Sequence, residues 1–226
     1  MARDTRDRIL DAAGRLFSER GFDGTPVADV LALAGVRSGS LYHFFASKEA
    51  LAEAVVARCA DRLREALLDP AEAAASDPFE RVFALVGLWR RGLESGAPGA
   101  ADPTGLLAAE LAARRPAIGR LAEGYGARLA TRVRGWLDAA GPRLPAGTDR
   151  GELASFVVTV LEGASMQSRA AGSLEPFDRA VGQLRLLFSL LEGAAHQGGP
   201  VPVAREAGEP AAPVRGGGDP TGWRAW

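Results

Sequence analysis

Cysteine is nearly missing from this chain. Cys59 is the only one in 226 residues. A single thiol excludes an intramolecular disulfide framework, so a reducing, cytoplasmic location is expected. Aromatic side chains are sparse at 7 %, while Ala and Leu, which favour helix, are abundant. No apolar run reaches the roughly 20 residues of a membrane span, so no membrane partner is expected. The N-terminal "MARDTRDRIL" lacks the apolar stretch of a secretory signal. Neither sign of charge dominates. The formal net charge is −1, which removes the overall basicity common among nucleic-acid-binding domains. The histidines are His43 and His196. No Ser-His-Asp set, metal-ligand spacing or phosphate-binding glycine loop accompanies them, so no catalytic residue, metal or cofactor is expected.

What is present is helical periodicity with sharp punctuation. Ile9, Leu10, Ala13, Leu16 and Phe17 form an apolar stripe behind Thr5 as cap. Gly21 followed by Phe22 reads as a Schellman-type stop. Thr25-Pro26 reads as the N-cap and first residue of a second helix, with Val27, Val30, Leu31 and Ala34 on its buried face, ended by Gly35. Ser38 caps a short third helix through Phe45, and Ser47 a long fourth one stopping near Asp69-Pro70. Further helices are predicted from Asp77-Pro78 to about Glu94, Asp102-Pro103 to Arg114, Pro116 to Gly141, Asp149 to about Ala171, and Pro176 to about Leu191. The expected fold is all-α, about nine helices. Residues 196–226 break the pattern. Of these 31 residues 12 are Gly or Pro, above the roughly 25–30 % that marks low-complexity chain, and a disordered tail is expected. Trp223 and Trp226 at its end could dock on a partner.

The stretch "GVRSGSLYHFFASKEAL", residues 35–51, carries the chemistry. Two short helices separated by a tight glycine turn make a helix-turn-helix, whose second helix enters the major groove. Leu41, Phe44 and Phe45 are three and four apart and are expected inward. Arg37, Ser38, Gly39, Tyr42 and His43 then lie on or near the outward side. A guanidinium can bridge guanine O6 and N7, and a glycine lets backbone approach. Lys48 sits in a helix first turn, where the dipole disfavours a cation unless a phosphate is near. Thr25 and Ser47 open helix N-termini that can donate to phosphate oxygens. Residues 1–48 hold seven basic against six acidic residues, so binding must rest on placement rather than total charge. A Tyr-His-Phe-Phe run also serves as plain core in helical proteins.

"TPVADVLALAGVRSGSLYHFFASKEAL", with its "RGFDGT" entry and "SKEAL" helix start, resembles the signature of the tetracycline-repressor (TetR) family of transcriptional regulators over about residues 5–55. The resemblance implies a helix-turn-helix domain at 1–48 and a larger helical ligand-binding and dimerisation domain at 49–195. By the same resemblance Thr25, Arg37, Ser38, Ser40, Tyr42, His43 and Lys48 occupy DNA-contacting positions. The partners implied are a double-stranded operator, a small-molecule effector and a second copy of the chain. The basic residue stands one place earlier than is usual in the family, at Arg37-Ser38. Whether Arg37 reads a base or holds a phosphate stays open.

Downstream the sequence is less specific. Gly163 is small enough for close helix approach, and Leu184, Leu187 and Leu191 supply an apolar seam for the pairing that the resemblance implies. Trp89, Tyr125 and Met166 are candidate pocket-lining residues for a hydrophobic or aromatic ligand, with Glu110, Glu162 and Gln167 as weaker polar candidates. Cys59, beside Arg58 and Arg62, reads as a core thiol, with redox sensing as the sharper alternative. The expected function is a repressor released from a palindromic operator by a small ligand. A DNA-binding regulator without such a ligand, and a helical enzyme with a structural N-terminal motif, remain as rivals.

Overall fold

The computed structural model describes residues 2–37, 39–95, 107 and 110–197. The predicted tail, with Trp223 and Trp226, lies outside the described residues, as does most of the helix predicted from Asp102. Among the described residues the fold is all-α, without strands. The helices are α1 (Ala2–Arg20), α2 (Val27–Ala34), α3 (Gly39–Phe44), α4 (Lys48–Leu63), α5 (Asp69–Ala74), α6 (Pro78–Ser95), α7 (Pro116–Ala139), α8 (Arg150–Ala171) and α9 (Glu175–His196).

Several predicted boundaries hold because a local cap decides them. Asp77 Oδ1 accepts from Phe79 and Glu80 N–H at 2.9 and 3.0 Å and starts α6. Asp149 Oδ1 does the same for Gly151 and Glu152 at 2.8 and 3.0 Å before α8. Ser47 Oγ accepts from Ala50 N–H at the head of α4. Gly172, at φ 62°, ends α8 in the left-handed conformation.

Other boundaries move. Thr5 lies inside α1, which starts at Ala2. The chain does not stop at Asp69-Pro70. It widens into a π turn, Arg64–Leu68, in which Asp69 N–H reaches Arg64 O, and runs on as α5. Pro70 has no N–H for the usual bond one turn back, and the wider turn absorbs that defect without breaking the helix. The last helix extends to His196, five residues past the predicted end.

Two buried clusters organise the chain. One gathers α1, α2, Leu41, Phe45 and the first half of α4 (Leu51, Ala52, Val55, Val56). The other runs from Ala60 and Leu63 through α6, α7, α8 and α9. The division by core therefore passes through α4, not at residue 48. The first cluster also takes in Leu107, Leu111 and Ile118, side chains from well beyond it in sequence.

The larger core buries few polar side chains, and Ser165 and Ser168 among them are hydrogen-bonded. Trp89, fully buried, donates its indole N–H to Ser165 Oγ at 2.8 Å, and Ser165 donates to Leu161 O at 2.6 Å. At the rim, Arg143 bridges Asp77 and Glu192 while lying over the Phe79 ring. Glu72 takes the Trp136 indole N–H and the Arg132 guanidinium, which hold its carboxyl below the usual range.

Ser165→Ala should leave the Trp89 N–H without a partner in a dry core. The expected loss is about 1–3 kcal/mol in urea unfolding. The double variant Trp89→Phe, Ser165→Ala should lose less than the two single losses combined. Simple additivity would mean that the bond contributes nothing.

Candidate nucleic-acid interface

The N-terminal module is built around its turns. Gly35 adopts φ 63°, with its N–H on Ala32 O and Val36 N–H on Leu31 O, both at 3.1 Å. This is the ending that turns α2 into the link before α3. Arg8, from α1, reaches across to the same corner. Its Nε and Nη2 donate to Ala34 O, and Nη2 also donates to Gly35 O at 2.7 Å. A cation there satisfies orphan carbonyls and complements the helix dipole. Nothing local in the sequence marks Arg8 for this role, because its partners are 26 and 27 residues away.

Within α3, Leu41 is fully buried and Phe45, just past the helix, is 5 % exposed. Tyr42 stands 64 % exposed on the opposite side. His43 is also exposed, its ring edge-on to Phe44 at 4.9 Å. Phe44 is only half-buried, so the expectation of three inward side chains holds for two. Arg37 is exposed in the link, and Arg6 lies over the Phe45 ring at 5.4 Å. A Cβ at Gly39 would meet nothing within 4 Å, so the protein's own packing gives no reason for a glycine there. Ser38 and the Ser40 side chain lie outside the described residues.

Two predicted contact residues are engaged internally. Thr25 was expected to cap α2 and offer a hydroxyl to DNA. Instead Pro26 holds the N-cap position, and the Thr25 side chain is fully buried. Its Oγ1 lies 2.7 Å from Gly21 O and 3.2 Å from Leu16 O, and its N–H donates to Phe22 O. A buried hydroxyl takes the nearest orphan carbonyls, and those belong to the end of α1. Lys48 Nζ donates to Phe22 O at 2.6 Å and sits 4.2 Å from the Phe22 ring centroid. Its place in the helix first turn is thus offset by a carbonyl and an aromatic face.

The module is also tied to α4 from below. Arg58, 13 % exposed, pairs with Asp11 at 2.7 Å and donates to Asp7 O. Burial pushes its guanidinium pKa down, and the Asp11 carboxylate opposes that shift. Next to it Cys59 is half-buried against the N-terminal cluster.

The downstream candidates separate. Trp89 and Tyr125 are core residues, their rings 6.5 Å apart. Met166 points outward at 62 % exposure and lines no interior space. A cleft of about 360 Å³ opens elsewhere, among Leu93, Glu94, Ser168, Arg169, Gly172 and Leu174, and none of the three borders it. Glu110 accepts the Phe22 N–H. Leu184 is 2 % exposed, committed to its own protomer's core, while Leu187 and Leu191 are partly buried against it. The apolar side chains left outside on the last two helices are Phe156, Met166, Leu186 and Leu190. Helical spacing was legible, but the rotation of each stripe was set by packing. Among the described residues no three His, Cys, Asp or Glu side chains gather as a metal site, and no helix is long and apolar enough to cross a membrane.

A short helix anchored by two apolar side chains, with a polar and aromatic face turned outward behind a tight glycine turn, defines a DNA-reading helix-turn-helix module. Residues 9–55 match the model of the bacterial regulatory proteins of the tetR family, and residues 78–183 match that of the LmrA/YxaF-like transcriptional regulator C-terminal domain. The chain belongs to the TetR family of DNA-binding transcriptional regulators.

Among curated relatives, the repressor KstR2 of Mycolicibacterium smegmatis is 38 % identical over 93 residues, 40 % of this chain and 42 % of its own length. The regulator UidR of Escherichia coli is 38 % identical over 71 residues, 31 % of this chain and 36 % of its own. The chain thus spans about two fifths of the length of the curated relatives it matches. A TetR-family regulator from Agrobacterium tumefaciens shares the fold at TM-score 0.73 and 22 % identity, covering 84 % of this chain and 99 % of that one. The regulator CifR, solved as a cysteine mutant on a 26-base-pair operator, is similar at TM-score 0.62 and 26 % identity, covering 79 % and 94 %.

Thr25→Ala and Tyr42→Ala should separate stability from DNA contact. Losing the buried hydroxyl should cost about 1–3 kcal/mol of stability. Losing the exposed ring should change stability by less than about 0.5 kcal/mol while weakening duplex binding by roughly 1–3 kcal/mol. Thermal unfolding beside a DNA titration reads both. A Tyr42→Ala protein with wild-type duplex affinity would remove α3 from the interface.

Proposed function

We propose that this regulator is a homodimeric repressor that sets α3 of each protomer into successive major grooves of a palindromic operator. The single observation that carries the reading is the division of α3, with Leu41 and Phe45 buried and Tyr42, His43 and the preceding Arg37 turned to solvent. Repression is favoured by the likeness to KstR2, itself named a repressor. Gly39, open on its outer side, permits close approach of DNA backbone. Of the contact set first expected, Arg37, Ser38, Gly39, Ser40, Tyr42 and His43 are retained as contacts. Lys48 serves by fixing the corner at Phe22, and Thr25 contributes only internally. The reading is tested by selecting duplexes from a random pool with the full-length protein. Enrichment of one palindromic sequence supports it, and enrichment of none rejects it. With that duplex in hand, Arg37→Ala resolves the open point. A base reader relaxes specificity at one position, whereas a phosphate contact weakens all sequences and lowers the salt slope by about one.

Release by a small ligand is the second half of the proposal. The cleft beside the end of α8 combines Leu93 and Leu174 with Glu94, Ser168 and Arg169, and its volume is in the usual range for small-molecule sites. An effector with an apolar body and a polar end fits that lining. The alternative, a regulator without a small-molecule ligand, is favoured by the burial of Trp89 and Tyr125 in the core, with the Trp89 indole N–H already bonded to Ser165.

Dimerisation would use the outer faces of α8 and α9. Phe156 and Met166 on one and Leu186 and Leu190 on the other are large apolar groups exposed in the single protomer. Gly163 lies on α8 between the first two, and a Cβ there would meet nothing within 4 Å. Gly163→Arg should therefore fold as well as wild type, since glycine inside a helix is itself unfavourable by about 1 kcal/mol against alanine. Across a two-fold axis, however, each added cation meets its own copy, and burying the pair costs roughly several kcal/mol. The expected result in sedimentation is a folded monomer with collapsed operator affinity. A folded dimer would exclude this seam.

A further inference from the structure

We propose that Glu110 is a positioning residue for DNA reading: a side chain from beyond α6 that fixes the backbone corner on which α2 and α4 both rest. The inference rests on the reading of α3 as the DNA-reading helix. Glu110 Oε2 accepts the Phe22 N–H at 2.5 Å, across 88 residues of sequence. Leu107 and Leu111 lie three residues before it and immediately after it in sequence. They are 0 and 1 % exposed in the N-terminal cluster, so packing delivers the carboxylate to this spot. Gly21 makes room for it. Its φ is +71°, and a Cβ there would fall inside contact distance of Glu110 Oε1. The Gly21 stop therefore meets two demands, the left-handed turn and the approach of a carboxylate.

Phe22 is held on its other side as well. Its carbonyl accepts from Thr25 N–H at 3.1 Å, just before α2, and from Lys48 Nζ at 2.6 Å, at the head of α4. Its ring rests against Phe17, 5.7 Å between centroids, and under the Lys48 ammonium. The helix α3 is suspended between α2 and α4, so a shift of Phe22 moves both of its supports. A charged acceptor on a backbone N–H is among the stronger hydrogen bonds available to this corner. Displacement of the segment around residue 110 would withdraw that acceptor, and the orientation of Tyr42 and His43 would follow.

The test uses full-length protein, the duplex that the wild type selects from a random pool, and an unselected duplex of equal length. In Glu110→Ala the Phe22 amide should exchange with solvent at least about tenfold faster. Affinity for the selected duplex should fall about tenfold, within the range usual for coupling between sites. Affinity for the unselected duplex should not fall, because phosphate contacts are untouched. Glu110→Gln keeps a neutral acceptor and should retain most of the Phe22 protection and most of the specific affinity. Unchanged Phe22 exchange in the Ala variant overturns the proposal. So do equal losses on both duplexes, or a Gln variant as weak as Ala. A wild type that enriches no sequence overturns the DNA-reading assignment. A wild type that enriches one, with a Glu110→Ala protein of equal affinity, overturns only the role of Glu110.

Discussion

The end of α1 leaves carbonyl oxygens facing the protein interior, where water cannot satisfy them. An unpaired buried carbonyl costs on the order of a hydrogen bond, so the chain must bring donors to it. Gly21 N–H takes Phe17 O, Thr25 supplies its hydroxyl to Gly21 O with Leu16 O nearby, and Thr25 N–H and Lys48 Nζ share Phe22 O. The Phe22 N–H of the same corner is met by Glu110. Three segments distant in sequence, the end of α1 with Thr25, the head of α4 and Glu110, meet at one turn. The short helix α3 lies between the elements so joined.

A second constraint acts through the division of the aromatic run at 42–45. A short helix cannot bury four consecutive large side chains, and the fold resolves this by burying Phe45, leaving Phe44 half-covered and turning Tyr42 and His43 to solvent. The anchors cost exposure of the rest. Arg8 and Gly35 set the angle at which this happens, the arginine by bonding the last carbonyls of α2 and the glycine by its left-handed φ. A near-neutral module can therefore address a polyanion through placement, since its cations are spread over ion pairs such as Arg20–Asp29 and Arg15–Glu19 and over structural contacts.

The C-terminal helices follow a different logic. Their core is continuous and closed around Trp89, Trp136 and Phe177, with each buried polar atom of the Trp89–Ser165–Leu161 chain paired. What they leave uncovered is on the outside, at Phe156, Met166, Leu186 and Leu190. Met166 shows how packing sets the rotation of a stripe: its side chain is 62 % exposed on the outside of α8.

Sequence by itself determined the elements whose signals are local. Asp77, Asp149 and Ser47 caps, the Gly21, Gly35 and Gly172 stops, and the helical stripes of α1 and α2 all depend on neighbours within a turn, and they were readable. The family signature at 9–55 was legible for the same reason, being one contiguous stretch. Tertiary structure decided whatever depends on a distant partner. Thr25 became an internal donor because the end of α1 lies beside it. Lys48 turned to Phe22 for the same reason, and the chain beyond α4 ran past Pro70 by widening one turn. Leu184 went to the protomer's own core, and Glu110 to a backbone N–H 88 residues away. A periodicity gives a helix and its stripe. Only the packed neighbours fix the rotation of that stripe and the atom that each long polar side chain finally meets.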